Sequence, residues 1–291
     1  MCRMKKMSLI DHPLILRSNL ARKLLAYALQ APRAIARSAS SQSNYAQRPP
    51  ILVNSIPKSG THMLMQVARA IPNTSYYGSF VARTPSWSRT ARSPSTIARL
   101  IRKATPGEVI GAHLPYDMET VAALASLNAL HIFIYRDPRD VVISEANYLA
   151  KMNRWHSMHR VFSRLSSDEE RIRTCIEGTS DPQFPNVNTR LIGYAPWLST
   201  PGVISVRYED LYGAKRDQEI MRIVHQYERQ SGSSIDQNSL RSILNAIDPT
   251  RSHTFHSGGI EKWRTLMSEA NQQLFRSTAS PLLSSLGYQP Q

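Results

Sequence analysis

The chain has 291 residues, 36 Lys and Arg against 21 Asp and Glu, and a formal charge of +15. Its 41% hydrophobic content excludes a disordered chain, and its apolar runs, short and broken by Arg or Lys, exclude a bilayer span. Cys2 and Cys175 form no CxxC pair, which excludes a disulfide framework and a zinc finger and leads us to expect a reducing, cytoplasmic compartment.

Residues 1–50 hold nine Lys and Arg and a single acid, Asp11, so this basic extension carries +8 of the total and residues 51–291 carry +7. Leu14, Ile15, Leu16, Leu20, Leu24, Leu25 and Ala28 recur near helical spacing, with Arg17, Arg22 and Lys23 between them. Such a helix could pack on the body, make peripheral contact with an anionic membrane, or serve as a targeting peptide. A solvated linker is expected at Ser38–Pro50.

Beyond Pro50 the pattern alternates. Ile51–Ile56 reads as a buried strand, Pro57-Lys58-Ser59-Gly60-Thr61 as a tight polar loop, and Met63–Ile71 as a helix. Arg83 to Lys103 carries six basic residues and no acid, and its Ser, Thr and Pro content predicts a loop before a helix at 95–103, either a substrate rim or a solvated surface. Further strands are expected at Glu108–His113, Leu130–Tyr135 and Val203–Tyr208, with helices at Val121–Leu127, from Val141, and at 215–230; residues 148–200 read as an irregular, partly helical insertion. Residues 51–291 are therefore expected to form one α/β domain. Its mostly parallel central sheet would be flanked by helices in a three-layer sandwich like that of phosphate-loop NTPases.

In such a sheet ligands bind beyond the carboxyl ends of the strands, and Lys58, His113 and Arg136 all follow predicted strands. Lys58, Ser59, Gly60, Thr61 and His62 stand between a strand and a helix N-terminus, where backbone N–H groups and the helix dipole favour an anion. The ATP and GTP loop places Lys after its last Gly. Here Lys58 precedes Gly60, so this is a phosphate loop of another kind. Arg136-Asp137-Pro138-Arg139-Asp140 with Ser144 one to two turns into the next helix makes a second anion site, whose acids could orient the arginines or cap the helix.

These stretches resemble the sulfotransferase family, whose donor is 3′-phosphoadenosine 5′-phosphosulfate (PAPS). Ile56–Thr61 is similar to its 5′-phosphosulfate loop, Tyr135–Ser144 to its 3′-phosphate motif, Gly111-Ala112-His113-Leu114-Pro115 to the segment with its catalytic histidine, and Arg207–Leu211 to a strand-end motif whose tyrosine, here Tyr208, lies near the adenine. Phe255–Arg264 is similar to a loop that usually begins Phe-Arg-Lys-Gly. His256, Ser257 and Gly258 are thus implied donor contacts, with His256 and Ser257 standing where the family has Arg-Lys and Arg251, Lys262 or Arg264 as substitutes. Met63 stands where many relatives carry a stacking tryptophan.

The resemblance implies in-line sulfonate transfer to an acceptor hydroxyl on a small molecule, lipid or glycan, with no metal. Lys58 would neutralise the leaving oxygen or the sulfonyl group, and His113, at an ordinary pKa near ~6.5, would take the acceptor proton. Trp263 reads either as a core anchor or as part of the site, and Trp155-His156 as a candidate acceptor wall. The rivals are an ATP-dependent small-molecule kinase, against which the Lys-before-Gly order argues, and a basic nucleic-acid-binding protein, for which no motif is present.

Overall fold

The computed structural model describes residues 19–88, 90–248 and 259–289. Five strands, β1 (Ile51–Ser55), β2 (Phe80–Ala82), β3 (Val109–His113), β4 (Leu130–Tyr135) and β5 (Val203–Arg207), form one sheet in the order β2-β3-β1-β4-β5. Every pairing is parallel. β2 was not legible in the sequence, because a three-residue edge strand has too little length for a period to show.

Side-chain alternation in β1 feeds both faces of the sheet. Ile51 and Val53 join one core with Leu64 and Val67 from helix Thr61–Ala70, Ile71 directly after it, and Ile220, Ile223 and Val224 from helix Arg216–Ser231. Leu52 joins another, with Ile97 and Ile101 of helix Pro94–Ile101 and Ala123 of helix Met118–Ala125. All these side chains are at most 2% exposed, and each contributes about 1.5–3 kcal/mol if it is Val, Leu or Ile. A third cluster joins Phe133 of β4 to helices Pro138–Asn147, Asp168–Glu177 and Glu269–Ser285. The last helix was not expected. Its Ser-rich sequence and Pro281 obscure the stripe of Phe275, Leu282 and Leu283 that it buries.

The extension corrects one expectation. Within the stretch read as a solvated linker lies a helix, Gln42–Gln47, whose Tyr45 is buried and donates from its hydroxyl to the Ala104 carbonyl at 2.9 Å. Arg48 Nη2 donates to the Pro106 carbonyl at 2.8 Å. Upstream, helices Asn19–Ala28 and Gln30–Ser38 are present, and Arg33 Nε donates to Glu108 at 3.0 Å. Glu108 is fully buried just before β3, so Arg33 neutralises a carboxylate at the amino end of the sheet, away from the strand ends where ligands bind. Leu14, Ile15, Leu16 and Arg17, and the side chains of Leu20, Arg22 and Lys23, lie outside the described residues.

After β1 the chain builds β2 and β3 on one side, then crosses to build β4 and β5 on the other. The connections therefore diverge between the carboxyl ends of β1 and β4, where a crevice opens.

Candidate active site

The loop after β1 turns through two left-handed residues, Lys58 at φ 68° and Gly60 at φ 94°. Gly60 sits before helix Thr61–Ala70, and a Cβ there would lie 2.7 Å from the Tyr208 ring. Glycine is thus required twice, for its backbone conformation and for the close approach of Tyr208. The turn presents the helix N-terminus to the cleft, the arrangement that binds anions. Lys58 Nζ lies 4.1 Å from the centroid of the Tyr148 ring. Burial pushes its pKa down to about 8; the nearby Glu145 carboxylate works against that shift and Arg136 adds to it. The Ser59 hydroxyl, expected to face the anion, is instead fully buried without a hydrogen-bond partner, and Ser59 does not line the cleft.

His113 ends β3, next to β1. Its Nδ1 lies 2.9 Å from Ser55 Oγ and 3.2 Å from the Ser55 carbonyl, and Ser55 Oγ lies 2.7 Å from Thr61 Oγ1. One serine at the end of β1 thus couples the phosphate loop to the histidine. Burial draws the His113 pKa down to about 4; the Ser55 backbone opposes this, while His62 and Lys58 reinforce it. The ordinary value expected from the sequence is therefore corrected: the ring is neutral at physiological pH because its site is poorly solvated. Asn54 completes the joint between the strand ends, since its Nδ2 donates to the Leu114 carbonyl and its Oδ1 accepts from the Leu114 N–H, both at 2.9 Å.

On the other side of β1, Arg136 follows β4 and is 8% exposed. Its Nη2 donates to Asp140 Oδ2 at 3.0 Å and to the Gly259 carbonyl at 2.8 Å, and the guanidinium lies 4.4 Å from the centroid of the Tyr208 ring. Asp140 Oδ1 in turn accepts from the Trp263 N–H at 3.0 Å. Arg136 is thereby held in place while its Nε stays buried without a hydrogen-bond partner. Arg139, by contrast, is consumed: its Nη2 lies 2.8 Å from Asp137 Oδ2 and its guanidinium 3.8 Å from the Trp263 ring centroid. Trp263, 3% exposed, is a core anchor beneath Arg139.

The strand ends open into one cleft of about 1190 Å³. Lys58, Gly60, Thr61, His62, His113, Arg136, Ser144 and Tyr208 all line it, as do Tyr148, Tyr194 and His156. Trp155 is 74% exposed and lies outside it. Of the substitutes for the missing Arg-Lys pair, Lys262 lines the cleft, whereas Arg264 is turned to Glu261 at 3.2 Å and Arg251 lies outside the described residues. His256, Ser257 and Gly258 also lie outside them. Among the described residues no three His, Cys, Asp or Glu side chains gather as a metal site, and no helix is long and apolar enough to cross a membrane.

Residues 48–287 match the sulfotransferase domain model. The chain belongs to the sulfotransferase family. The match spans every strand and all the motifs described above, and the α/β sandwich of this sulfotransferase recurs in solved structures. The structure of mouse sulfotransferase SULT7A1 complexed with PAP is 15% identical with a TM-score of 0.57, over 87% of this chain and 91% of that one. That of retinol dehydratase in complex with androsterone and inactive cofactor PAP is 13% identical with a TM-score of 0.53, over 88% and 85%. No curated protein matches this sulfotransferase in sequence.

Ser55 and Asn54 were missed by sequence reasoning although a signal was present: they are the two polar residues in the apolar run Ile51–Ile56. A polar pair inside a buried strand must have partners, and here the partners are the strand end and the histidine.

Proposed function

We propose that this sulfotransferase takes its sulfonate from PAPS and passes it in line to an acceptor hydroxyl. The observation that carries the reading is the order of groups along the carboxyl edge of the sheet: His113 on β3, the Lys58 loop on β1, Arg136 on β4 and Tyr208 after β5. Neighbouring strands lie about 4.8 Å apart, so these groups succeed one another over the span of an extended nucleotide. The 3′-phosphate lies against Arg136 and Ser144, the 5′-phosphate against the loop N–H groups with Thr61 and His62, and the adenine near Tyr208.

Two terminal phosphates on one nucleoside are what the separated cations at β1 and β4 suit. The acceptor oxygen attacks sulfur, the bond from sulfur to the 5′-phosphate oxygen breaks, and adenosine 3′,5′-bisphosphate (PAP) leaves. Lys58 neutralises the charge growing on the departing oxygen. A proton on Nδ1 of His113 finds acceptors in Ser55, which leaves the Nε2 lone pair to take the acceptor proton. Retinol and androsterone, named with retinol dehydratase, support a small-molecule acceptor here, with a lipid or glycan hydroxyl as the wider class. We place the enzyme in the cytoplasm. Exposed Leu24, Tyr27 and Ile35 in a basic extension support peripheral contact with an anionic membrane.

Calorimetric titration tests the donor. PAP binds, and ATP with Mg²⁺ binds far more weakly. Replacing Arg136 with Ala weakens PAP by about tenfold to a hundredfold, the worth of a charge-assisted hydrogen bond, and leaves adenosine 5′-monophosphate within about threefold. Equal losses for both nucleotides would sink the 3′-phosphate assignment, and preferential ATP binding would restore the kinase reading.

A further inference from the structure

The cations on the acceptor side of the cleft fall into two sets. Arg190 is neutralised by Glu145 at 2.7 Å and Lys151 by Asp168 at 3.3 Å. Arg83 and Arg92 have no carboxylate partner among the described residues, yet both line the cleft. Their backbone is fixed against the histidine. Ala82 pairs with His113 in the sheet register, the Arg83 N–H donates to the His113 carbonyl at 3.1 Å, and the Arg92 N–H donates to the Arg83 carbonyl at 2.8 Å.

The loop between them is itself held, because the Ser157 N–H donates to the Ser86 carbonyl at 3.1 Å and so ties it to the segment after the π-helical turn Tyr148–Met152. Arg92 Nη1 reaches back to the Ala82 carbonyl at 3.1 Å, while Arg83 makes no side-chain hydrogen bond among the described residues. Arg83 is an exposed residue on the rim of the cleft, and its charge acts on the Tyr194 phenol of the cleft wall. Arg99, Arg102 and Lys103 of the same basic stretch are exposed, as Arg83 is, but line no part of the cleft.

Two guanidinium groups without a carboxylate partner among the described residues, on a backbone held to the strand that ends in His113, give this rim of the cleft a positive potential. Their planar forks match carboxylate, sulfate and phosphate oxygens. We infer that the acceptor of this sulfotransferase carries an anionic group close to the hydroxyl that is sulfonated, and that Arg83, supported by Arg92, is the residue that selects it. The inference rests on the PAPS reading of the donor side, since it takes His113 as the point at which the acceptor hydroxyl sits. The apolar wall formed by Phe80, Tyr148 and Tyr194 receives the remainder of the molecule.

The test uses PAP-loaded protein at pH 7, titrated calorimetrically with 2-naphthol and with 3-hydroxy-2-naphthoate, which share a flat hydroxylated body and differ by one carboxylate beside the hydroxyl. The carboxylate binds at least about tenfold more tightly to the unaltered protein. R83Q reduces that preference to about twofold without changing the affinity for 2-naphthol, R83K keeps part of it, and R99Q keeps all of it. PAP affinity, measured in each variant, reports that the nucleotide site is intact. Equal affinity for the two naphthols, no binding of either, or an undiminished preference in R83Q overturns the inference and leaves the donor assignment standing. Failure of PAP to bind the unaltered protein overturns the donor reading, and this inference with it.

Discussion

On the donor side of the cleft the anion sites are built mainly from backbone and from strand ends: a left-handed turn at Lys58 and Gly60, a helix N-terminus, and an Arg136 held by Asp140 and the Gly259 carbonyl. On the acceptor side the wall is built from side chains on connections, the loop between Arg83 and Arg92, the π-helical turn and the stretch around Tyr194. The first kind of site tolerates little change, because a backbone conformation and a close ring contact fix it together. The second can be altered residue by residue while the sheet stays the same. On the proposed reading, reaction type resides in the half that the fold dictates, and selectivity in the half that the connections supply.

Three perturbations separate the halves. The largest effect is expected at their junction. His113→Ala should lower turnover by about 10²–10⁴-fold while PAP affinity stays within about threefold, as steady-state rates and calorimetry on the same variant would report. Undiminished turnover would remove His113 from the chemistry. Next, Gly60→Ala should damage the donor half alone. A Cβ 2.7 Å from Tyr208 at a φ of 94° costs about 1–3 kcal/mol, read as a lower urea midpoint together with weaker PAP binding. An unchanged midpoint and affinity would mean that the loop is not fixed as described.

The smallest and most graded effect is in the pH profile of kcat/KM. The base must be unprotonated, so activity is retained down to about 4 and has no acid limb near ~6.5. Lys58 must keep its proton, so activity falls above about 8, by about tenfold per unit. An acid limb near ~6.5 would show that the ring is better solvated than its setting against Ser55 implies.

Most of the sheet could be read from the sequence because β1, β3, β4 and β5 are short apolar runs bounded by polar loops, the mark of strands buried on both faces. β2 escaped because three residues cannot declare a period, and with it escaped the pairing of Ala82 with His113 that sets Arg83 in the cleft. Helix Gln42–Gln47 escaped because one buried Tyr45 in a polar hexapeptide carries no pattern. Lys58, Gly60, His113 and Arg136 were legible as chemistry after strands. The difference between Arg136, left with an open Nε, and Arg139, consumed by Asp137 and Trp263, was not.

The sequence by itself determined most of the strands, the loop after β1 and the groups proposed to carry the reaction, because these follow from local spacing and residue chemistry. Only the tertiary structure decided which of the basic residues line the cleft. It lowered the proton affinity of His113 by burial, paired Arg33, Arg139 and Arg190 with carboxylates far apart or near in the chain, and gave Arg83 and Arg92 none among the described residues. Charge is a property of the residue, whereas compensation depends on what packing brings within a few ångströms, and no local pattern encodes that.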